Sequence, residues 1–238
     1  MGSEISQKGL LMRRKVLSAS AKVFLERGYE KASAKMVAEL LGVSNGSPFF
    51  HYGNKEGVLL ELVRQMFAGQ FRAAEQLMGT VTDPLLLYAL ETSLQIHITE
   101  LSEPLRELYV TSYTLPGTTK FIVDSMTPKI KAIFGEFWPG ADDRNFYELE
   151  LASSGITRSF MREPCDESFT LERKLRLYFS CCFRMYNVPP ERYEPVIEQA
   201  VGINLTQVAK HIIDRTVQQA DEAFELAMTA GKRNGGTI

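Results

Sequence analysis

Apolar residues recur three or four positions apart along almost the whole chain, and no alternating apolar–polar run is long enough for a strand. The pattern predicts an all-α protein. Val16, Ala19, Val23 and Phe24 share one face of a helix over residues 8–27, which Gly28 ends. Ser33 caps a second helix with Met36, Val37, Leu40 and Leu41 inward, and Gly42-Val43 makes a tight turn. Ser44 caps a third, short helix over residues 45–52, and Asn54 caps a long fourth one to residue 78. Further starts are predicted where a cap meets proline, at Asp83-Pro84, Ser102-Glu103-Pro104 and Thr127-Pro128. After Pro139-Gly140, a helix over residues 142–161 aligns Phe146, Leu149, Ser153, Ile156 and Phe160, and Ser153, Ser154 and Gly155 allow close helix contact. Another, over residues 168–186, aligns Leu171, Leu175, Tyr178 and Cys182. From Pro189-Pro190 the chain reads as one helix to residue 230, striped by Leu205, Ala209, Ile212, Ala220, Phe224 and Ala227. Residues 231–238 read as a disordered tail.

With 238 residues, 45% of them hydrophobic, the chain can bury a core in one or two domains. No stretch has the roughly 18 uninterrupted apolar residues of a membrane span, and the N-terminus does not read as a signal peptide. Cys165, Cys181 and Cys182 suit neither a disulfide framework nor a Cys-x-x-Cys metal site, so a reducing cytoplasm is expected. The net charge of −2 hides an asymmetry. Residues 1–55 carry nine Lys/Arg and four Asp/Glu, a net +5, which leaves −7 for the remainder. A basic head on an acidic body points to a polyanion at the head.

Two short helices joined by a glycine turn, the second poor in apolar residues, form a helix-turn-helix. The second helix can be short if it enters the DNA major groove. Gly46 and Ser47 then let the backbone approach bases and phosphates, and the helix N-terminus at Ser44 presents partial positive charge. Phe49, Phe50 and His51 can pack along the sugar-phosphate backbone, and Lys55 offers a phosphate contact. Asn45, in the first turn, is the candidate base reader, while Lys35 and Ser33 join the phosphate set.

Residues 13–63 resemble the N-terminal DNA-binding domain of the TetR family of bacterial regulators. The resemblance rests on Ala21 and Phe24 before Gly28-Tyr29, Val37-Ala38, Gly42-Val43-Ser44, Gly46, Phe49, His51-Tyr52, and Asn54-Lys55-Glu56 before Leu59, in order and correctly spaced. Pro48 stands where the family commonly has an aliphatic residue, Phe49 where tyrosine is usual, and Ala32 where threonine is usual. The resemblance implies a helix-turn-helix domain over residues 1–54, a connecting helix over 55–78, and a ligand-binding and dimerisation domain over 79–230. It also implies a homodimeric repressor on a pseudo-palindromic operator in double-stranded DNA, released by a small molecule.

Candidate ligand contacts are His97, Tyr109, Tyr113, Phe121, Met126, Phe134, Trp138 and Phe160, although any helical bundle needs such residues as core. His97 and Tyr113 stand out, since a buried polar atom needs a partner. Many aromatics and few charges favour a hydrophobic or aromatic ligand; Glu91, Glu100 and Glu107 could favour a cationic one, but a solvated face is expected for them. No cofactor, metal site or catalytic motif is recognisable: Glu-x-x-His, His-Glu-x-x-His, a phosphate-binding glycine loop and Gly-x-Ser-x-Gly are all missing. A helical enzyme, or an adaptor that has lost DNA binding, are the alternatives. The dimer interface is expected to be four-helical, from residues 168–187 and 190–229 of each subunit.

Overall fold

The computed structural model describes residues 7–43, 48–80 and 83–233. Each of its elements is helical. The head comprises α1 (Gln7–Arg27), α2 (Ala34–Leu41) and a short 3-10 helix (Pro48–Tyr52), and α3 (Lys55–Met78) runs from it into the body. The body continues with α4 (Pro84–Thr99), α5 (Glu103–Ser112), α6 (Pro116–Phe134), a single 3-10 turn (Gly135–Phe137), α7 (Asp143–Arg162), α8 (Leu171–Met185), α9 (Pro190–Gly202) and α10 (Thr206–Arg233).

The starts follow from local chemistry. Ser33 Oγ accepts the Met36 amide at 3.2 Å and Asn54 Oδ1 accepts that of Gly57 at 2.8 Å, each supplying one of the acceptors a first helical turn lacks. Asp142 and Asn145 exchange side-chain and backbone hydrogen bonds at 3.0 Å, a reciprocal capping box. Gly57 is dictated by a close approach: a Cβ there would lie 2.0 Å from the Tyr52 carbonyl oxygen.

At the centre lies α4, with 14 of its 16 residues buried between helices from both sides. Such a helix has no solvent face to receive its polar residues. Glu91, Ser93, Gln95 and His97 are therefore core residues, and that fact shapes the candidate site.

Several sequence expectations change. Thr127-Pro128 does not start a helix. It lies inside α6, which begins at Leu115-Pro116 without a side-chain cap. The face formed by Ile122, Met126, Ile130 and Phe134 is buried, and its packing outweighs the roughly 3 kcal/mol that an interior proline costs. The long C-terminal helix is two helices. Gly202 ends the first, and Asn204 Oδ1 accepts the Thr206 amide at 3.0 Å at the start of the second. α9 packs on α8, but α10 turns back to lie along α1 and α4, anchored by the fully buried Leu205 and Ala209. The single helix expected over residues 190–229 is thus two helices that pack in different places. Of the stripe, Ala220, Phe224 and Ala227 have side chains outside the described residues. α10 runs to Arg233, three residues into the expected tail, and residues 234–238 lie outside the description. Gly155 has open space where a Cβ would stand, so it serves no close contact within the subunit.

Candidate functional site

The head is built around α1. Val16, Ala19 and Phe24 are fully buried and meet Val37 of α2 and Val58 and Leu59 of α3. Gly42 takes φ 65° and Val43 N–H returns to the Ala38 carbonyl at 3.1 Å, closing α2 and turning the chain. Of the expected DNA contacts, Ser44, Asn45, Gly46 and Ser47 fall outside the described residues. The described part of the third helix is the 3-10 turn, and Pro48 opens it, where a missing amide costs no hydrogen bond. Phe50 is 81% exposed and meets His51 edge-on, with ring centroids 6.2 Å apart. Lys35 is open to solvent apart from a 3.8 Å pair with Glu39, and Ser33 is exposed.

Two expected contacts are placed differently. Phe49 is 6% exposed and belongs to the head's core, because its side of the short helix faces α1 and α3. Lys55 is engaged within the protein: its ammonium lies 4.2 Å from the centroid of the Tyr29 ring and donates to the Glu30 carbonyl at 3.4 Å. Burial lowers its pKa, while the charges of Glu107 and Glu30 pull it back up. Glu107, on α5, accepts the Glu30 amide and sits against Gly28, which takes φ 80°. Head and body meet at this cluster.

In the body, the expected ligand residues separate into distinct places. Tyr113 donates to Gln95 Oε1 at 2.9 Å, and Gln95 Nε2 donates to Glu91 Oε1 at 2.6 Å. Tyr109 accepts from Gln70 Nε2, whose Oε1 has no partner among the described residues. Phe134 stacks on Tyr186 at 3.9 Å, and Trp138 Nε1 donates to the Tyr186 carbonyl at 2.9 Å. Tyr186 Oη and Ser153 Oγ both donate to Glu150 Oε2, at 3.4 and 2.8 Å. Phe160 lies edge-on to Tyr178, Phe121 receives the Arg64 guanidinium on its ring face, and Met126 is buried on α6. His97 bonds the Ser93 carbonyl at 2.8 Å, and burial lowers its pKa, favouring the neutral ring.

The outcome is a polar seam through the body's core, with two carboxyl groups in it. Burial pushes Glu91 up to about 7, against the hydrogen bond from Gln95 and the charge of Lys129. Burial likewise pushes Glu150 up to about 8. None of the three glutamates expected on a solvated face is free in solvent. Glu91 is 1% exposed. Glu100 accepts from the fully buried Lys174 at 2.6 Å and from the Cys165 amide at 3.1 Å. Glu107 is the junction residue described above.

The sequence description "Bacterial regulatory proteins, tetR family" matches residues 16–62. The head is a TetR-family domain. Across this region the chain is 38% identical over 53 residues to the HTH-type transcriptional repressor AcnR of Corynebacterium glutamicum, covering 22% of this chain and 28% of that protein. It is 29% identical over 73 residues to the HTH-type transcriptional repressor KstR2 of Mycolicibacterium smegmatis, covering 31% of this chain and 36% of that protein. The chain thus spans about a third or less of the length of these curated relatives. A solved TetR-family regulator from Pectobacterium atrosepticum shares the fold, with a TM-score of 0.53 at 18% identity over 75% of this chain and 93% of that one.

Within this TetR-type head, Pro48 and Phe49, two of the departures from the family pattern, are both buried as packing residues. Ala32, at the usual threonine position, is 3% exposed and also serves the core. In the body, sequence reasoning did not single out Gln70, Gln95, Glu150 and Tyr186, and it placed Glu91 on the surface. A signal existed for α4: its run from Leu85 to Thr99 has no consistently polar face, so its polar residues had nowhere to go but inward.

Proposed function

We propose that this protein is a cytoplasmic, homodimeric transcriptional repressor that binds a pseudo-palindromic operator in double-stranded DNA through its TetR-type heads and leaves it when a small molecule enters the body. The observation that carries the reading is the family match over residues 16–62, on a stretch whose basic charge contrasts with the acidic body. In this reading Asn45 reads a base edge, Ser33, Lys35, Ser44, Gly46 and Ser47 meet phosphates, and Phe50 and His51 pack against the backbone. Lys55, seated over Tyr29 at the start of α3, stays in the phosphate set. Among the described residues no helix is long and apolar enough to cross a membrane, which fits a regulator that must reach DNA.

The effector is an aromatic or otherwise apolar molecule bearing a hydrogen-bond donor. Support comes from the seam: Gln70 is 2% exposed with an acceptor oxygen unused, beside Tyr109. A buried acceptor without a donor is costly, and a ligand that supplies one is favoured by that much more. Binding releases DNA if the ligand favours a head spacing that the operator does not fit.

Titration of the full chain against genomic DNA fragments at low and moderate salt tests the reading. A fragment that stays bound as salt rises, well above the non-specific level, is the expected result. Binding that weakens equally on every fragment, with the steep salt dependence of phosphate contacts alone, would overturn it.

A further inference from the structure

A second opening lies away from the seam, where the head meets the C-terminal helix. A cleft of about 270 Å³ is framed by α1, α3, α5 and α10. Its walls are apolar: Leu17, Ala21 and Leu25 of α1, Leu62 and Met66 of α3, and Leu108 of α5. The polar groups in it are neutral, Ser18, Gln65 and Thr216, with one exception. Arg14 is the single charged lining residue, it is exposed, and it has no ion pair or hydrogen bond among the described residues. Gln65 shares the opening and its amide is turned to Glu61 at 3.4 Å.

We propose that this cleft binds a small anionic amphiphile, an aliphatic or flat apolar body carrying one carboxylate. The apolar walls take the body, and Arg14 takes the carboxylate. At about 30 Å³ for each displaced water the cleft has room for roughly nine, enough for an apolar chain of about ten heavy atoms. The charge assignment follows from complementarity. A guanidinium without a partner among the described residues, at the mouth of an apolar cleft, offers a planar fork that matches a carboxylate, and no acidic group lines the walls to attract a cation. The occupant touches the head through α1 and the body through α3, α5 and α10 at once. It therefore clamps the head in the position seen here, by contacts separate from the Glu91–Glu150 seam.

The test uses the full chain labelled at the methionine methyl groups, titrated with decanoate, decanol and decyltrimethylammonium. Decanoate is expected to shift the Met66 methyl saturably at one molecule per chain. Arg14→Gln is expected to weaken decanoate about tenfold, the loss of one charge-assisted contact, and to leave decanol unchanged. Gln65→Trp, which closes the mouth from an exposed position, is expected to exclude both. Glu91→Gln is expected to leave decanoate binding as it was, which separates this cleft from an effector site in the seam. The proposal falls if decanoate gives no saturable shift at Met66, if decanol or the cation binds as tightly as decanoate, or if Arg14→Gln has no effect. Thermal unfolding of each variant shows whether the fold is kept, and Arg14→Gln and Gln65→Trp sit on exposed helix positions.

Discussion

Glu150 is nine-tenths or more buried, and its carboxyl oxygen receives Ser153 and Tyr186 but no cation among the described residues. A carboxylate stripped of water without a counter-charge is better off protonated, which is why burial pushes it up to about 8. The folded protein then holds a proton that the unfolded chain has already lost, so this contribution to stability is present in full below the unfolded carboxyl pKa. It is lost as pH rises through about 8. Glu91 acts in the same direction, with its midpoint at about 7. The expected outcome is a fall in unfolding free energy of about 2 kcal/mol from Glu150 alone between mildly acid and mildly alkaline pH, measured by urea titration. Glu150→Gln is expected to flatten most of that slope. An unchanged slope would mean that the carboxyl is ionised in the core and finds compensation elsewhere.

At the scale of elements, the junction of α1, α3 and α5 decides how the head is held. α1 ends at Gly28 with φ 80°, and the N–H of Glu30, just beyond, is taken by Glu107 of α5. Lys55, the first residue of α3, fits over Tyr29 and answers the charge of the same carboxylate. Three helices from two parts of the chain thus share one charged knot. Glu107→Ala is expected to leave the Glu30 amide without its acceptor and to speed its hydrogen exchange by at least about tenfold, the cost of a charge-assisted hydrogen bond. Exchange at the Val37 amide inside α2 should change less. Equal acceleration at both sites would show that the head unfolds as a unit and that the knot does not hold it locally.

For the whole molecule, the outer face of α8 is the place to seek a second subunit. Leu177 is 48% exposed there and Cys181 is exposed one turn later, while Arg176 pairs with Glu198 of α9 at 2.5 and 3.0 Å and fixes the two helices as one surface. A two-fold contact buries such a face against its own copy. Sedimentation at micromolar concentration is expected to give a dimer, and Leu177→Glu to weaken it by at least about tenfold by burying an unpaired charge. A wild-type monomer would remove the dimer from the proposed function, and a Leu177→Glu dimer of undiminished strength would move the interface elsewhere.

The helical class, the caps at Ser33, Asn54, Asp83 and Ser102, and the family resemblance of the head were legible in the sequence because each depends on neighbours within a few positions. A cap bonds to an amide two or three residues away, and a helix-turn-helix is specified within one short stretch. What lay beyond local reach depends on partners far along the chain. Pro128 is carried inside α6 by packing that no local signal records. Lys55 lies over the Tyr29 ring, donates to the Glu30 carbonyl and feels the charge of Glu107, partners that no local signal names. Glu91 looks like any helix-surface glutamate until α4 is known to be enclosed on every side. The same holds for α10: its stripe predicts that it must pack, and only the break at residues 203–205 decides that it packs against α1. Periodicity fixes that a face is buried; the identity of the surface that covers it is set by the sum of contacts over the whole chain.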